Sequence, residues 1–251
     1  MTKIALITGS SRGLGKSSAL NLAKKGVDVI VTYHRNAEEA KNVVAEIEQL
    51  GAKAVALQLD TADTKTFDSF AGLVQQLLKD QWQTKHFDFL VNNAGTGVHS
   101  SFAETTEEDF DHLMNIHLKG VFFLTQKLLP LIDNGGRIVN VSTGLTGLIF
   151  PGYAAYASMK GAVETLTLYM AKELGSRGIA VNTVAPGAIE TDFRGGAVRD
   201  NPEMNKQIAS LTALGRVGLP DDIGGAIASL LSEDNQWVNA QRIEVSGGQS
   251  I

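Results

Sequence analysis

Short apolar or β-branched runs alternate with longer amphipathic stretches from one end of the chain to the other. The runs are Ile4–Thr8, Val27–Thr32, Ala54–Leu59, Phe87–Val91, Arg137–Val141, Ala180–Val184 and Arg242–Val245. Each has the length and continuous hydrophobicity of a strand covered on both faces. The stretches between them, such as Ala37–Leu50 and Thr64–Lys79, carry helical spacing; in the first, Val43, Val44, Ile47 and Leu50 share one stripe. Alternation of this kind predicts an α/β fold, a doubly wound, seven-stranded parallel sheet with helices on both faces. Parallel neighbours need crossovers, and right-handed crossovers lay helices against the sheet. No linker or repeat interrupts the alternation, so residues 1–251 are expected to form one domain. The segment from about 187 to 218 departs from the pattern: it is rich in glycine and polar residues, lacks strand signal and is too long for an ordinary connection. It is expected to lie over the site as a partly helical flap, the substrate loop.

Charge and composition narrow the function classes. Lys plus Arg number 22 against 27 Asp plus Glu, a net charge of −5, and no segment gathers enough basic residues to track a phosphate backbone. Nucleic acid is not an expected partner. The absence of cysteine excludes disulfides, thiolate nucleophiles and cysteine–zinc sites and fits a reducing compartment. The opening "KIALITGS" lacks the ordered regions of a signal peptide, and no apolar run approaches the ~20 residues of a membrane span. A cytoplasmic protein with no membrane partner is expected.

Directly after the first run comes "TGSSRGLG", with Gly9, Gly13 and Gly15 spaced G-x3-G-x-G and a helical pattern from Lys16 onward. In an open parallel sheet the ligand sits beyond the carboxyl ends of the strands, where a helix N-terminus offers unpaired N–H groups and partial positive charge to a phosphate. A flexible turn is the plain alternative, but strand before and helix after favour a dinucleotide cradle of Gly9, Ser11, Arg12, Gly13, Leu14 and Gly15. At the end of the second run, "VTYHRN", an NAD site usually places an acid for the ribose hydroxyls. Here Tyr33 stands there, flanked by His34 and Arg35, and Arg12 adds a second guanidinium suited to a 2′-phosphate. NADP is therefore expected over NAD, and His34 is expected to cap or stack. Asp60, followed by Thr61, ends the third strand and is placed to accept a hydrogen bond from the adenine amino group. Asn93, Ala94 and Gly95 of "NNAG" end the fourth and can line the adenine ribose. Each is also a turn former.

With these motifs in order, joined by "YASMK" and the Pro-Gly of "VAPGAIETDF", the chain resembles the short-chain dehydrogenase/reductase family over essentially its whole length. The resemblance implies a Rossmann-type sheet, a nicotinamide cofactor, and hydride exchange between an alcohol and a ketone or aldehyde. It also implies that Pro186, Gly187, Ile189 and Thr191 hold the nicotinamide end before the substrate loop begins. Relatives often assemble as homodimers or homotetramers through two long helices, here Glu108–Leu129 and Tyr153–Gly175.

Carbonyl reduction needs a proton at oxygen. On a helix, Tyr156 and Lys160, four apart, share a face. At ~4 Å and an effective dielectric of ~20 the ammonium would attract a phenolate by about 4 kcal/mol, enough to lower the phenol pKa by about 1–3 units after desolvation. Tyr156 is thus the expected general acid in reduction and base in oxidation. The resemblance adds that Lys160 binds the nicotinamide ribose; Tyr153 is expected to line the substrate entrance. The family's substrate-holding serine falls, 13 residues before Tyr156, on Thr143, which keeps the hydroxyl; Ser142 points to the opposite face. The family's helix asparagine aligns with His117 in "NIHLKG". There a backbone carbonyl role survives replacement, while the imidazole could shuttle protons or brace a helix bend. His112 and His117 lie on different helix faces, and no metal is expected. The expected function is an NADP-dependent ketone or aldehyde reductase, 3-oxoacyl reductases included. A cofactor-binding regulator that has lost turnover is the alternative from another class. A nucleotide-sugar epimerase or dehydratase is opposed by the short C-terminal part.

Overall fold

The computed structural model describes residues 2–251. Among them the strands β1 (Ile4–Ile7), β2 (Asp28–Tyr33), β3 (Ala54–Gln58), β4 (Phe87–Asn92), β5 (Ile132–Val141), β6 (Ala180–Pro186) and β7 (Arg242–Val245) form one sheet in the order β3-β2-β1-β4-β5-β6-β7. Every neighbouring pair is parallel. The chain winds outward first on one side of β1 and then on the other, so the crevice between β1 and β4 is the topological switch point at which such sheets bind ligands. Each predicted apolar run corresponds to a strand; half of the ends coincide and, apart from the start of β5, the others differ by one or two residues. β5 starts five residues early because Phe87 already pairs with Ile132, before a bulge resets the register to Phe89–Arg137.

The helices are α1 (Gly13–Ala23), α2 (Ala37–Gln49), α3 (Phe67–Trp82), α4 (Glu107–Met114), α5 (Gly120–Leu128), α6 (Ala154–Leu174), α7 (Ala197–Asp200), α8 (Pro202–Ser210) and α9 (Pro220–Leu230). Leu22, Val43, Ile47, Ile223 and Ile227, from α1, α2 and α9, pack on Ala5, Ile7, Val29 and Val31. Phe67, Phe70, Val74, Leu78, Leu124 and Leu128, from α3 and α5, pack on Ile4, Leu6, Ile30 and Leu90 across the sheet. Successive strand residues serve opposite faces, which is why the strands are apolar throughout. Each fully buried large side chain contributes about 1.5–3 kcal/mol.

Two departures shape the site. The predicted helix Glu108–Leu129 is broken by a π-helical turn at Asn115–Lys119, which carries His117 into the interior. The next residue, Gly120, faces Thr61, whose carbonyl oxygen would lie 2.2 Å from a Cβ there, so only glycine lets α5 approach. The second is the flap, whose two ends are joined: Ile189 pairs with Gly218, and the Glu190 N–H donates to the Gly218 carbonyl at 2.9 Å. Between them run a short turn at Phe193–Gly196 and the helices α7 and α8.

Candidate active site

The glycine loop is bound to the end of β4 rather than hanging free. Thr8 Oγ1 accepts from the N–H groups of both Asn93 and Ala94 at 2.9 Å, while the Asn93 amide donates back to the carbonyls of Thr8 at 2.9 Å and Gly9 at 3.1 Å. Gly9 turns the chain in the left-handed region, with φ +63°. A Cβ on Gly15 would lie 2.4 Å from the Gly9 oxygen and 2.5 Å from Asn93 Nδ2. Helix α1 begins at Gly13, earlier than the Lys16 expected from the sequence pattern, and no side chain caps it and no acid stands in its first turn. Helix α2, by contrast, is capped by Asn36 and has Glu38 and Glu39 in its first turn. An uncapped N-terminus at the switch point, with Gly13, Leu14 and Ser11 partly accessible, fits a pyrophosphate. Thr191 faces this loop from the start of the flap, 3.9 Å from where a Gly13 Cβ would stand.

Arg12, in the glycine loop between β1 and α1, and Arg35, just after β2, are both exposed, and among the described residues neither has a carboxylate within salt-bridge distance. Two unneutralised guanidinium groups fit a 2′-phosphate. At Asp60 one carboxylate oxygen accepts from the Ala62 N–H at 2.9 Å and the other stands 3.3 Å from His34 Nε2. The turn after β3 orients the carboxylate, which keeps lone pairs for a further donor. Pro186 ends β6; the Gly187 N–H donates to Val245 at 3.0 Å, and a Cβ on Gly187 would strike Ser246 and the Gln249 side chain.

Tyr156 and Lys160 sit on one face of α6, both buried. The Lys160 ammonium donates to the Val141 carbonyl at 2.7 Å and lies 5.8 Å from the centre of the Tyr156 ring. Burial pushes the lysine down to about 8, with Glu164 pulling the other way. Burial also raises the Tyr156 pKa, and a hydrogen bond with the Thr143 side chain opposes that rise. Burial thus outweighs the lowering expected from Lys160, and the net shift is upward. Desolvation acts on the whole phenol, while the ammonium is turned to a backbone carbonyl and is itself weakened by burial. The phenol is therefore firmly protonated, the form a proton donor needs. Thr143 and Ser142 separate as expected of adjacent strand residues: the Ser142 hydroxyl donates to Glu164 at 2.6 Å, away from the phenol.

His117 is buried, with its ring edge-on to Tyr156 at 5.2 Å and 87°. Its Nε2 is 2.7 Å from the Thr96 carbonyl oxygen, a contact that requires the N–H there and leaves Nδ1 a bare acceptor without a partner. Burial holds the imidazole pKa well below its ordinary 6.5, with the Lys160 charge acting in the same direction. The contacts favour bracing: His117 ties the bend of the α4–α5 helix to the segment after Gly95, where a Cβ would come within 2.7 Å of its ring.

The structure brings the predicted residues to the carboxyl edge of the sheet. What the sequence did not disclose is the support beneath. Asn92 donates to Asn140 at 2.8 Å and to Thr125 at 3.0 Å, Asn140 donates to Thr167 at 2.9 Å, and Thr167 pairs with Thr183 at 2.8 Å, all buried. This network couples β4, β5 and β6 to α5 and α6 and so fixes where α6 presents its phenol. Also undisclosed was Ser10, buried and exchanging hydrogen bonds with Ile7 and Thr32 under the glycine loop. Polar residues inside otherwise apolar strands were the available signal. Among the described residues no cluster of His, Asp or Glu could hold a metal, and no helix is long and apolar enough to cross a membrane.

Residues 9–250 match the family model described as enoyl-(acyl carrier protein) reductase. The hydroxynaphthalene reductase-like protein Arp2 of Metarhizium robertsii is 38% identical over 98% of this chain and 94% of its own length. Among solved structures, the promiscuous reductase LugOII, which catalyses keto-reduction at C1 during lugdunomycin biosynthesis, superposes with a TM-score of 0.94 at 37% identity, covering 99% of this chain and 98% of that one. The angucycline C-6 ketoreductase LanV with bound NADP superposes with a TM-score of 0.93 at 36% identity, covering 99% and 95%.

Proposed function

The chain belongs to the short-chain dehydrogenase/reductase family, and from that premise we propose that it is an NADP-dependent oxidoreductase transferring hydride between the nicotinamide and a small carbonyl or alcohol substrate. The observation that carries this reading is the placement of Tyr156 and Lys160, both buried on one face of α6, with Thr143 just after β5 at the same sheet edge as the uncapped start of α1. NADP, when bound in its reduced form, supplies the hydride. Thr143 donates to the substrate oxygen and orients it. Tyr156 delivers the proton; an alkoxide is a stronger base than even a raised phenolate, so transfer in the reducing direction runs downhill. Lys160, behind the phenol, supplies positive charge as the tyrosine gives up its proton. Arg12 and Arg35 take the 2′-phosphate. Pro186, Gly187, Ile189 and Thr191 hold the nicotinamide end, and Asn93, Ala94 and Gly95 the ribose.

Ketone reduction is preferred to reduction of a carbon–carbon double bond, which the family model's description names, because two hydroxyls converge where a carbonyl oxygen needs donors. The similar reductases described above support turnover over a purely regulatory role. A single domain working in the cytoplasm as a homodimer or homotetramer completes the proposal. The experiment is a panel of ketones, aldehydes and 3-oxoacyl thioesters followed at the absorbance of reduced nicotinamide with NADPH and NADH. The expected outcome is NADPH-dependent turnover, with NADH at least about tenfold poorer in kcat/KM, and reversal of that ratio in Arg35→Asp through loss of the phosphate contact. Tight NADPH binding with no substrate consumed would point to the regulator instead.

A further inference from the structure

The flap carries one side chain in an unusual state. Arg194 adopts φ +54° and ψ +43°, the left-handed region, and is followed by Gly195 and Gly196, which share it. A side chain held there without glycine's freedom is sparsely populated and is a pointer to function. Its guanidinium hydrogen-bonds the Tyr153 hydroxyl and lies over the Tyr153 ring, 5.1 Å from its centre. Tyr153 is the residue preceding α6, three before Tyr156, and His99 packs edge-on against it at 5.1 Å. Beside Arg194, the Phe193 ring lies 5.8 Å from the Tyr156 ring, tilted by 51°, and presses on Gly97, where a Cβ would come within 2.5 Å of it. Phe193 and Arg194 therefore reach from the flap to the mouth of the catalytic crevice.

The charge of Arg194 is what remains unanswered. Elsewhere on and near the flap, arginines meet acids: Arg199 pairs with Asp192 and Asp200, and Arg216 with Asp222. Among the described residues no carboxylate stands within 4 Å of Arg194. Its contact with Tyr153 uses one guanidinium nitrogen, Nη1, and the stacked ring orients the plane, leaving other donors for a ligand. We propose that Arg194, positioned by Tyr153, is a specificity-determining residue for an anionic oxygen, carboxylate or phenolate, on an aryl ketone whose ring lies against Phe193. The inference rests on the carbonyl-reductase reading and deepens it by naming the substrate class.

The test compares 4-acetylbenzoate with its methyl ester as substrates, and measures binding of 2-naphthoate to the NADPH-loaded enzyme by calorimetry. Wild type is expected to favour the acid by roughly 10- to 100-fold in kcat/KM, chiefly through KM, the range of a charge-assisted hydrogen bond. Arg194→Asn tolerates the left-handed backbone and should bring the acid-to-ester ratio to about one and weaken naphthoate binding by a similar factor. Arg194→Lys should recover part of the ratio. An unchanged ratio in Arg194→Asn, or a wild type that favours the ester, overturns the subsite. So does a loss of NADPH affinity in Arg194→Asn with the ratio intact, which would assign the guanidinium to the cofactor. Ester reduction by wild type establishes carbonyl reduction whichever way the ratio falls; absence of NADPH oxidation with both compounds and with the wider carbonyl panel removes the premise and the inference together.

Discussion

Lys160 is a cation in a place where cations are expensive, and its burial gives opposite pH dependences to activity and stability. Its pKa of about 8 in the folded chain lies below the ordinary 10.5. Between about pH 8 and 10 the unfolded chain therefore holds a proton the folded chain has released, and stability rises with pH across that window, by up to about 3 kcal/mol if this lysine alone is counted. Activity should move the other way. Loss of the ammonium removes the charge that supports proton transfer from Tyr156, so kcat/KM for ketone reduction is expected to fall above about pH 8. A basic limb near pH 8 in kcat/KM, together with a denaturation midpoint that does not fall between pH 8 and 9.5, is the expected pair of measurements. A flat rate profile to pH 9.5 would show that Lys160 acts without its charge. At this scale the sequence disclosed which residues meet but not their titration: the four-residue spacing put Tyr156 and Lys160 on one face, whereas the depth of burial that governs both pKa values is a property of everything packed around them.

The helix from Glu107 to Leu128 shows how one element can be legible in extent and hidden in detail. The family resemblance implies a long helix, but the π-helical turn at Asn115–Lys119 arises from tertiary demands, the inward seat of His117 and the contact of Gly120 with Thr61. Because His117 is kept neutral in the fold, the unfolded chain takes up a proton below about pH 6.5 that the folded chain refuses. Stability therefore drops as pH falls below that value, and the loss is intrinsic to this element. Replacing His117 with asparagine keeps a short polar group facing Thr96 and removes the titration. The midpoint of urea denaturation is expected to fall less between pH 7 and pH 5 in His117→Asn than in wild type; equal falls would show that the histidine is not buried as a neutral ring. The glycine loop was legible for the opposite reason. Gly9 and Gly15 answer to local backbone geometry and a close approach, which the spacing itself records.

For the molecule as a whole, the continuous apolar runs specified a sheet covered on both sides, and the alternation with helices specified parallel strands. Crossover handedness entered as a general rule, whereas the strand order is read from the structure. The flap was legible as an exception but not as a structure. Its helices α7 and α8 bury little, and its shape is set by ties at its ends, Ile189 to Gly218, and by Arg194 reaching to Tyr153. The buried network from Asn92 to Thr183 was likewise invisible, because its members lie on separate strands and helices that only the fold brings together. All of these parts converge on one phenol, and its removal is the most direct test of the account. In steady-state reduction of a ketone by NADPH, Tyr156→Phe is expected to lower kcat by at least about 100-fold, the usual contribution of a positioned proton donor, while NADPH binding stays within about threefold of wild type. Turnover within about tenfold of wild type would contradict the assignment of Tyr156 as the proton donor.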